Sequence, residues 1–415
     1  MIRTPAGLLL LALAWSGAGA GRPPPSPSPR RSPTGGSEPT FVSVTAGGSM
    51  TCALTDAGRA YCWGSNSVGQ LGNRNPRERT VPVAVAGDHT FTTISAGDQH
   101  VCALLASGAA YCWGGNVEGA LGSGGVVDSE PVPTPVAGGL RFASISAGVD
   151  RTCAVTLGGT AYCWGRYSSP SDDPVGRAVA LPTPVPGTLR FRSIAVGLRH
   201  ACGIGQDNHV YCWGQNDVGE LGRGSPDLSR ANQVPGPPTM TTPVASVSVS
   251  VSTSCAVTLD GASYCWGQNM FGQLGNGTST AEDTPNVAPS RVVGDQKWRQ
   301  ISAERRYACA VTVAGAAYCW GENASKLLGS DSATERCGAG SRPRVCSTKP
   351  LPVGGGLPFR QVAAGWRHAC GVGEDGHVYC WGTNEYGELG TGSYEASVQP
   401  ARVVFHADTT TPPSR

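Results

Sequence analysis

The stretch CALTDAGRAYCWG (Cys52–Gly64) recurs in near-copies along the 415-residue chain, and the geometry of one copy decides how all are read. If Cys52 faces Cys62 across a β-hairpin, Thr55 faces Arg59 and the loop is Asp56-Ala57-Gly58. A three-residue hairpin loop ends on a residue with positive φ, where glycine is unstrained and asparagine tolerable. That position holds Gly58, Gly108, Gly159, Gly261, Gly315 and Gly376 in six copies and Asn208 in the other, so one register suits all seven. Counting outward puts the cysteines at a non-hydrogen-bonded pair, with Cα atoms about 4.5 Å apart. A disulfide accepts that separation.

The pairs are Cys52 with Cys62, Cys102 with Cys112, Cys153 with Cys163, Cys202 with Cys212, Cys255 with Cys265, Cys309 with Cys319 and Cys370 with Cys380. Free buried cysteines acting as small apolar residues would be credible for one pair, but seven pairs at one separation point to cross-strand disulfides. Structural zinc sites favour cysteines two to four residues apart, and these are ten apart. Each bond closes a short loop and constrains the unfolded chain by about 2–3 kcal/mol. The remaining Cys337 and Cys346 lie in SDSATERCGAGSRPRVCSTKP, an insertion that a local disulfide would hold together.

Composition agrees with a turn-rich β protein in an oxidising compartment. Glycine numbers 59 and proline 32, and 14% of residues are charged. The net charge of +2 disfavours nucleic acid as a partner, because phosphate binding needs a concentrated basic field. Residues 1–20 carry Arg3, the apolar run LLLLALAW and Ala18-Gly19-Ala20, the pattern of a signal peptide, and the run is too short to span a bilayer. Residues 21–40 form a Pro/Ser-rich linker and 406–415 a disordered tail. The expected mature chain is therefore a secreted protein, extracellular or periplasmic, without a membrane span.

Successive YCW slots fall 50, 51, 49, 53, 54 and 61 residues apart, the signature of a repeat with seven units. The second copy shows the content: FTTIS and HVCALL read as strands around a turn, AAYCWG as a third strand, and VPTPVAG as a short edge strand. Three or four short strands per 50 or so residues is one propeller blade. The fold class expected is all-β, a seven-bladed β-propeller over residues 41–405.

The pattern G-x-x-H-x-C-A-L followed by G-x-x-Y-C-W-G-x-N-x-x-G-x-L-G resembles the repeat of the regulator of chromosome condensation family, over Phe41 to Val404. Six of seven copies keep the Trp-Gly-x-Asn order, as in Trp63-Gly64-Ser65-Asn66 and Trp213-Gly214-Gln215-Asn216. The resemblance implies a seven-bladed propeller, and the cysteine pairs are typical of exported relatives. The first unit lacks a preceding Pro/Val strand while Pro400–Val404 is left over after the seventh, so ring closure is expected by pairing N- and C-terminal strands in one blade. Three units depart from the pattern. The third runs from Trp164-Gly165 into RYSSPSDDPVG, without the Asn and Leu-Gly elements. In the fifth and sixth the glycine before the first cysteine becomes Ser250 and Glu304. Drift accounts for these more readily than specialisation.

Nuclear members of that family act as guanine nucleotide exchange factors and bind chromatin, which conflicts with an export signal and a neutral charge. A secreted relative inhibits β-lactamases through one face of its ring. No catalytic motif is present: no G-x-S-x-G, H-E-x-x-H, phosphate loop or Asp box. No enzyme activity, cofactor or metal is therefore expected. His100, His200 and His368 share the slot two before the first cysteine, but Met50, Arg151, Thr253 and Tyr307 fill it elsewhere, so they read as strand-end variation rather than a metal ring. Glu220 and Glu388 alternate with Gln70 and Gln273 in G-x-L-G turns and read as solvated positions. Asn276 and Asn323 head glycosylation sequons that matter only in a eukaryotic host. The irregular segments 223–242 and 330–350 both follow Leu-Gly and should emerge on one face. That face, with Arg336, Arg342 and Arg344 as a candidate binding loop, is expected to recognise a protein or surface polymer as a monomeric binding or scaffold module. An extracellular hydrolase or lyase, or an exchange-factor-like regulator, are the alternatives.

Overall fold

In the computed structural model, which describes residues 38–405 apart from 126, 167–177, 228–229, 281–283, 285 and 339–342, seven antiparallel sheets surround a central channel. Blade 2 shows the plan: inner strand Phe91–Ala96, then His100–Leu105, Ala110–Gly115 and outer strand Ser129–Pro135, paired in chain order. The blades occupy residues 41–84, 91–135, 142–184, 191–214, 244–291, 298–352 and 359–402. Their inner strands neighbour one another in sequence order and return from blade 7 to blade 1.

Hairpin register follows the cysteine spacing. Cys52 faces Cys62 and Leu54 faces Ala60, Thr55 N–H donates to the Arg59 carbonyl, and Gly58 and Asn208 have φ of 74° and 66°. The disulfides expected within the blades are all formed: Cys52 with Cys62, Cys102 with Cys112, Cys153 with Cys163 and Cys202 with Cys212 in the first four. Cys255 with Cys265, Cys309 with Cys319 and Cys370 with Cys380 complete the ring. Their Cα atoms are 4.0–4.1 Å apart, somewhat closer than the 4.5 Å or so of an unbridged pair at this ladder position, and lie below the usual range for a disulfide. Cys337 and Cys346 are bonded as well, with Cα atoms 5.8 Å apart, giving eight disulfides, the mark of an oxidising compartment. The YCW tryptophans are the largest fully buried side chains, and in six blades an aromatic at the start of the inner strand (Phe41, Phe91, Phe142, Phe191, Trp298, Phe359) packs into the same core.

Closure differs from the expectation. Blade 1 is complete from residues 41–84 and blade 7 from 359–402, so the chain ends do not share a sheet. The Pro/Val segment of each unit follows its own third strand through the loop after Trp-Gly, so Arg79–Ala84 already completes the first blade and Ser397–Arg402 belongs to the seventh. Blade 7 meets blade 1 through the contacts found at other seams: Phe41 N–H on the Gly376 carbonyl, and Trp63 Nε1–H on the Glu388 carbonyl at 2.9 Å.

Two blades break the plan. In blade 4 the outer strand shrinks to a single bridge, Cys212 with Gly236, after a 3-10 turn at Arg230–Gln233. The Arg223 guanidinium substitutes for the missing strand, donating to the Cys212 carbonyl at 2.7 Å and to Asn232 Oδ1 at 2.9 Å. Blade 6 gains a fifth strand, Glu335–Cys337, on the long outer strand Arg344–Pro352. The expected leader, most of the linker and the tail lie outside the described residues.

Candidate functional site

Antiparallel meanders send successive turns to opposite ends of a blade, so every turn between the first two strands lies on the same face as the loop after Trp-Gly. The opposite face carries the seven three-residue hairpins. The loop after Trp-Gly is built by its asparagine. Asn116 Oδ1 accepts from Leu121 N–H at 3.0 Å while Nδ2 donates to the Val127 carbonyl, and Asn66, Asn216, Asn269, Asn323 and Asn384 hold the equivalent Leu N–H. The clip aims a carbonyl at the next blade. Trp113, Trp164, Trp266, Trp320, Trp381 and Trp63 donate Nε1–H to Gln70, Ala120, Glu220, Gln273, Leu327 and Glu388 respectively. The glycine of Leu-Gly lets the chain pass over that indole: a Cβ on Gly122 would lie 2.6 Å from Trp164 Nε1.

The three histidines belong to the same seams. His100, His200 and His368 are buried, and each Nε2 lies 2.8 Å from a hydroxyl of the next blade, on Thr152, Ser254 and Thr51. Each hydroxyl gives its own proton to a backbone carbonyl, of Ala120, Glu220 and Glu388. It must therefore accept from Nε2–H, which places a proton on Nε2. Burial pushes the three pKa values down to about 4, 3 and 4. Where the slot holds Met50, Arg151, Thr253 or Tyr307, the next blade offers Val101, Ala201, Ala308 or Ala369 instead of a hydroxyl. That pairing one blade apart is a signal in the sequence that strand-by-strand reading misses.

Glu220 and Glu388 are not solvated turn positions. Both are buried, and each carboxylate accepts a backbone N–H, from Val218 at 2.8 Å and Tyr386 at 2.7 Å, as the amides of Gln70 and Gln273 do in their blades. Burial raises the Glu220 pKa to about 7. Asn323 is likewise a loop clip: its Nδ2, the atom a glycan would modify, donates to the Ser330 carbonyl. Asn276 Nδ2 donates to Ser290 Oγ at 3.3 Å.

The channel opens on the loop face in a cavity of about 330 Å³ lined by all seven inner strands. Its rim differs in character from blade to blade. Blades 3 and 5 present Val149 and Val251, whereas blades 2, 6 and 7 present Asp98, Glu304 and Trp366. The Arg305 guanidinium stacks 4.6 Å above the Trp366 ring. Glu304 occupies a glycine position, and burial raises its pKa to about 7; burial and the Asp150 charge raise that of Asp98 to about 6. Tyr307 accommodates the change in that blade by donating its hydroxyl to the Gly365 carbonyl at 2.7 Å. A second cavity of about 510 Å³ lies beside the mouth between the loops of blades 7, 1 and 2, walled by Trp366, Tyr386, Asp98, Gln99 and Ser49 among others.

The bridged insertion projects from the outer edge of blade 6. Arg336 is exposed, Arg344 is paired with the buried Glu322 carboxylate alongside Arg306, and Arg342 lies outside the described residues. The Cys337–Cys346 disulfide packs on Phe271 of blade 5, whose ring carries the Arg306 guanidinium at 5.0 Å. The insertion is thus anchored across the seam between blades 5 and 6. The rim residues Asp98 and Trp366 and the side chain Tyr386 were not singled out by sequence reasoning, because their turns differ in every unit.

Two repeat models, each described as regulator of chromosome condensation (RCC1) repeat, match the chain, one at residues 57–104, 107–155, 207–257, 260–311 and 375–411 and the other at 41–70, 91–120, 191–220, 244–273 and 359–388. The stretches between, 156–190 and 312–358, hold the divergent third unit and the insertion. Among curated relatives, the ultraviolet-B receptor UVR8 of Arabidopsis thaliana is 32% identical over 140 residues, 34% of this chain and 29% of that protein. The human E3 ubiquitin-protein ligase HERC2 is 31% identical over 150 residues, 36% of this chain and 3% of the ligase. The chain thus aligns with under a third of the length of these relatives. Among solved structures, Prp20p of Saccharomyces cerevisiae, described together with its binding to Gsp1p and histones, superposes with a TM-score of 0.74 at 22% identity, covering 89% of this chain and 88% of that one. The ectodomain of the Arabidopsis thaliana receptor kinase ACR4 gives 0.52 at 18% identity, covering 89% and 100%. Matched over more than half its length, with seven blades of which six carry the repeated asparagine, Leu-Gly and tryptophan elements, the chain belongs to the regulator of chromosome condensation repeat family.

Proposed function

We propose that the protein is an exported binding or scaffold module that recognises a protein or surface polymer through the loop face of its ring. One observation carries this reading: among the described residues, the irregular loops lie on one side. The seven hairpins of the opposite face share one three-residue loop, while the loop face bears the rim substitutions, the 510 Å³ cavity and the insertion. A scaffold that varies only at one end of its repeats is arranged like other repeat proteins that bind there. Eight disulfides and the leader-like residues 1–20 support export, and the likeness to a receptor ectodomain is consistent with it. Arg336 is an insertion cation left at the surface for a partner. Prp20p is described by its binding to Gsp1p and histones, but the disulfide-stapled ring and its even charge do not favour such partners here.

Photo-crosslinking tests the reading. A benzoylphenylalanine at Val117 or Tyr394 on the loop face should give specific adducts with material of the cell surface or medium, and one at Leu157 or Leu259 on the opposite face should not. Adducts only from the opposite face would reverse the assignment.

A further inference from the structure

The cavity between blades 7, 1 and 2 has a composition that selects a ligand class. Its walls combine two aromatic side chains, Trp366 and Tyr386, with hydroxyls, amides and carboxylates, and among the described residues no lysine or arginine lines it. Ligand pockets of this size accept small molecules or one segment of a polymer. The carboxylates of Asp98 and Glu78 in its walls disfavour phosphate, sulfate and uronate groups. Arg305 stacks on one face of Trp366 at 4.6 Å, which braces the ring and already fills its cation–π position, so a cationic ligand is disfavoured too. A neutral molecule with an apolar face and many hydroxyls remains. An aromatic ring supplies a flat apolar surface with a polar edge, and carboxylates and amides accept or donate to hydroxyls at fixed angles.

The residues that line the pocket are particular to this part of the ring. Equivalent turns of blades 3 and 5 carry Val149 and Val251, whereas blade 2 carries Asp98-Gln99. Asp98 lies directly over the bare Cα of Gly48, leaving no space for a Cβ there, so the glycine of blade 1 is what admits the carboxylate. Trp366 N–H is held by the Gly47 carbonyl at 3.2 Å, fixing the turn that presents the indole. Such preorganisation lowers the ordering cost of binding a weakly interacting ligand.

We propose that this cavity is a saccharide-binding site that takes a neutral sugar unit of a surface or secreted polysaccharide, stacking it on Trp366 and Tyr386 and hydrogen-bonding its hydroxyls through Asp98 and Gln99. This rests on the loop-face reading above and names the chemistry of the polymer. The test is calorimetric titration of the full, oxidised chain with cellohexaose, mannohexaose and chitohexaose, and separately with tetramethylammonium. Binding of at least one oligosaccharide is expected, weakened at least about tenfold by Trp366→Ala and by Tyr386→Ala and unchanged by Leu259→Ser on the opposite face. Gln99→Ala, at an exposed side chain, should weaken it too and guards against misfolding of the aromatic variants. Failure of all three sugars, binding of tetramethylammonium instead, or sugar binding indifferent to these substitutions would overturn the proposal. In each of those cases loop-face crosslinks that persist in Trp366→Ala would leave the broader reading standing.

Discussion

The seam between blades 2 and 3 and the seam between blades 3 and 4 use the same strands and nearly the same core, yet differ in their polar contacts. At the first, Asn116 clips a loop whose Ala120 carbonyl receives both Trp164 Nε1–H and the Thr152 hydroxyl, and His100 completes the set. At the second, the third unit lacks those elements, Ala201 replaces the hydroxyl, and the buried Trp213 Nε1 has no partner among the described residues. Apolar packing is nonetheless continuous there, from Val155 and Val185 through Phe191 and Ile194 to Trp213. The apolar packing is thus common to both seams, and among the described residues the clip with its carbonyl is what distinguishes them.

The sharpest way to break the comparison is at Gly122. Alanine there meets Trp164 and must adopt φ near 67°, so Gly122→Ala should destabilise by at least about 3 kcal/mol, read as a fall in the urea midpoint. The hairpin glycine Gly159, whose Cβ would have 3.1 Å to the Gln206 amide, should cost less on the same substitution. Equal losses would show that the Leu-Gly contact with tryptophan does not carry the seam.

Disulfides should be blind to the difference. Replacing Cys102 and Cys112 together by alanine, or Cys153 and Cys163 together, releases a loop of the same length, and each double substitution should cost about 2–3 kcal/mol. A marked inequality in melting temperature would mean that the bond acts on the folded seam rather than on the unfolded chain.

Next in size is the indole nitrogen. Trp164→Phe removes a hydrogen bond to Ala120, whereas Trp213→Phe removes a donor that had no described partner, so the first should cost about 1–2 kcal/mol more than the second. Equal costs would show that Trp213 is satisfied after all.

The legibility of this molecule follows the same division. The hairpin register could be read because strand alternation and one positive-φ position constrain each other, and seven copies repeat the constraint, from Cys52 opposite Cys62 to Cys370 opposite Cys380. Closure could not, because a Pro/Val strand between two units is equally near both in sequence, and only the path of the loop after Trp-Gly assigns it to the preceding blade. Glu220 and Glu388 looked solvated because glycine-flanked acids are commonly exposed, although their alternation with isosteric glutamine, never lysine, marks a buried acceptor. The cavity beside the mouth was hidden because Asp98 and Trp366 come from blades distant in sequence, 268 positions apart by their numbers, and meet only through closure.

The smallest expected effect at neutral pH concerns the histidine seams. The molecule supplies its own replacement, the pair of Met50 and Val101 between blades 1 and 2, so His200→Met combined with Ser254→Val should fold and differ little from the parent at pH 7. An unfolded histidine titrates near 6.5, while burial holds His200 at about 3, so below pH 6.5 the unfolded chain binds a proton that the folded chain refuses. Each such residue lowers stability by about 1.4 kcal/mol per pH unit as acid is added, down to its folded pKa. Asp98, Glu220 and Glu304 act in the opposite sense: raised to about 6, 7 and 7, they hold protons in the folded chain while the unfolded carboxylates are still charged, which adds stability from pH 7 down to about 4.5. The solvent exposure of Asp98 reduces its share. The parent should therefore keep a nearly level urea midpoint from pH 7 to about 4.5 and lose it steeply below. The double variant, spared one histidine, should gain about 1 kcal/mol on the parent at pH 5.5. A gap that does not open between pH 7 and 5.5 would mean that His200 takes up its proton in the folded ring, and that its contact with Ser254 is not the neutral one drawn here.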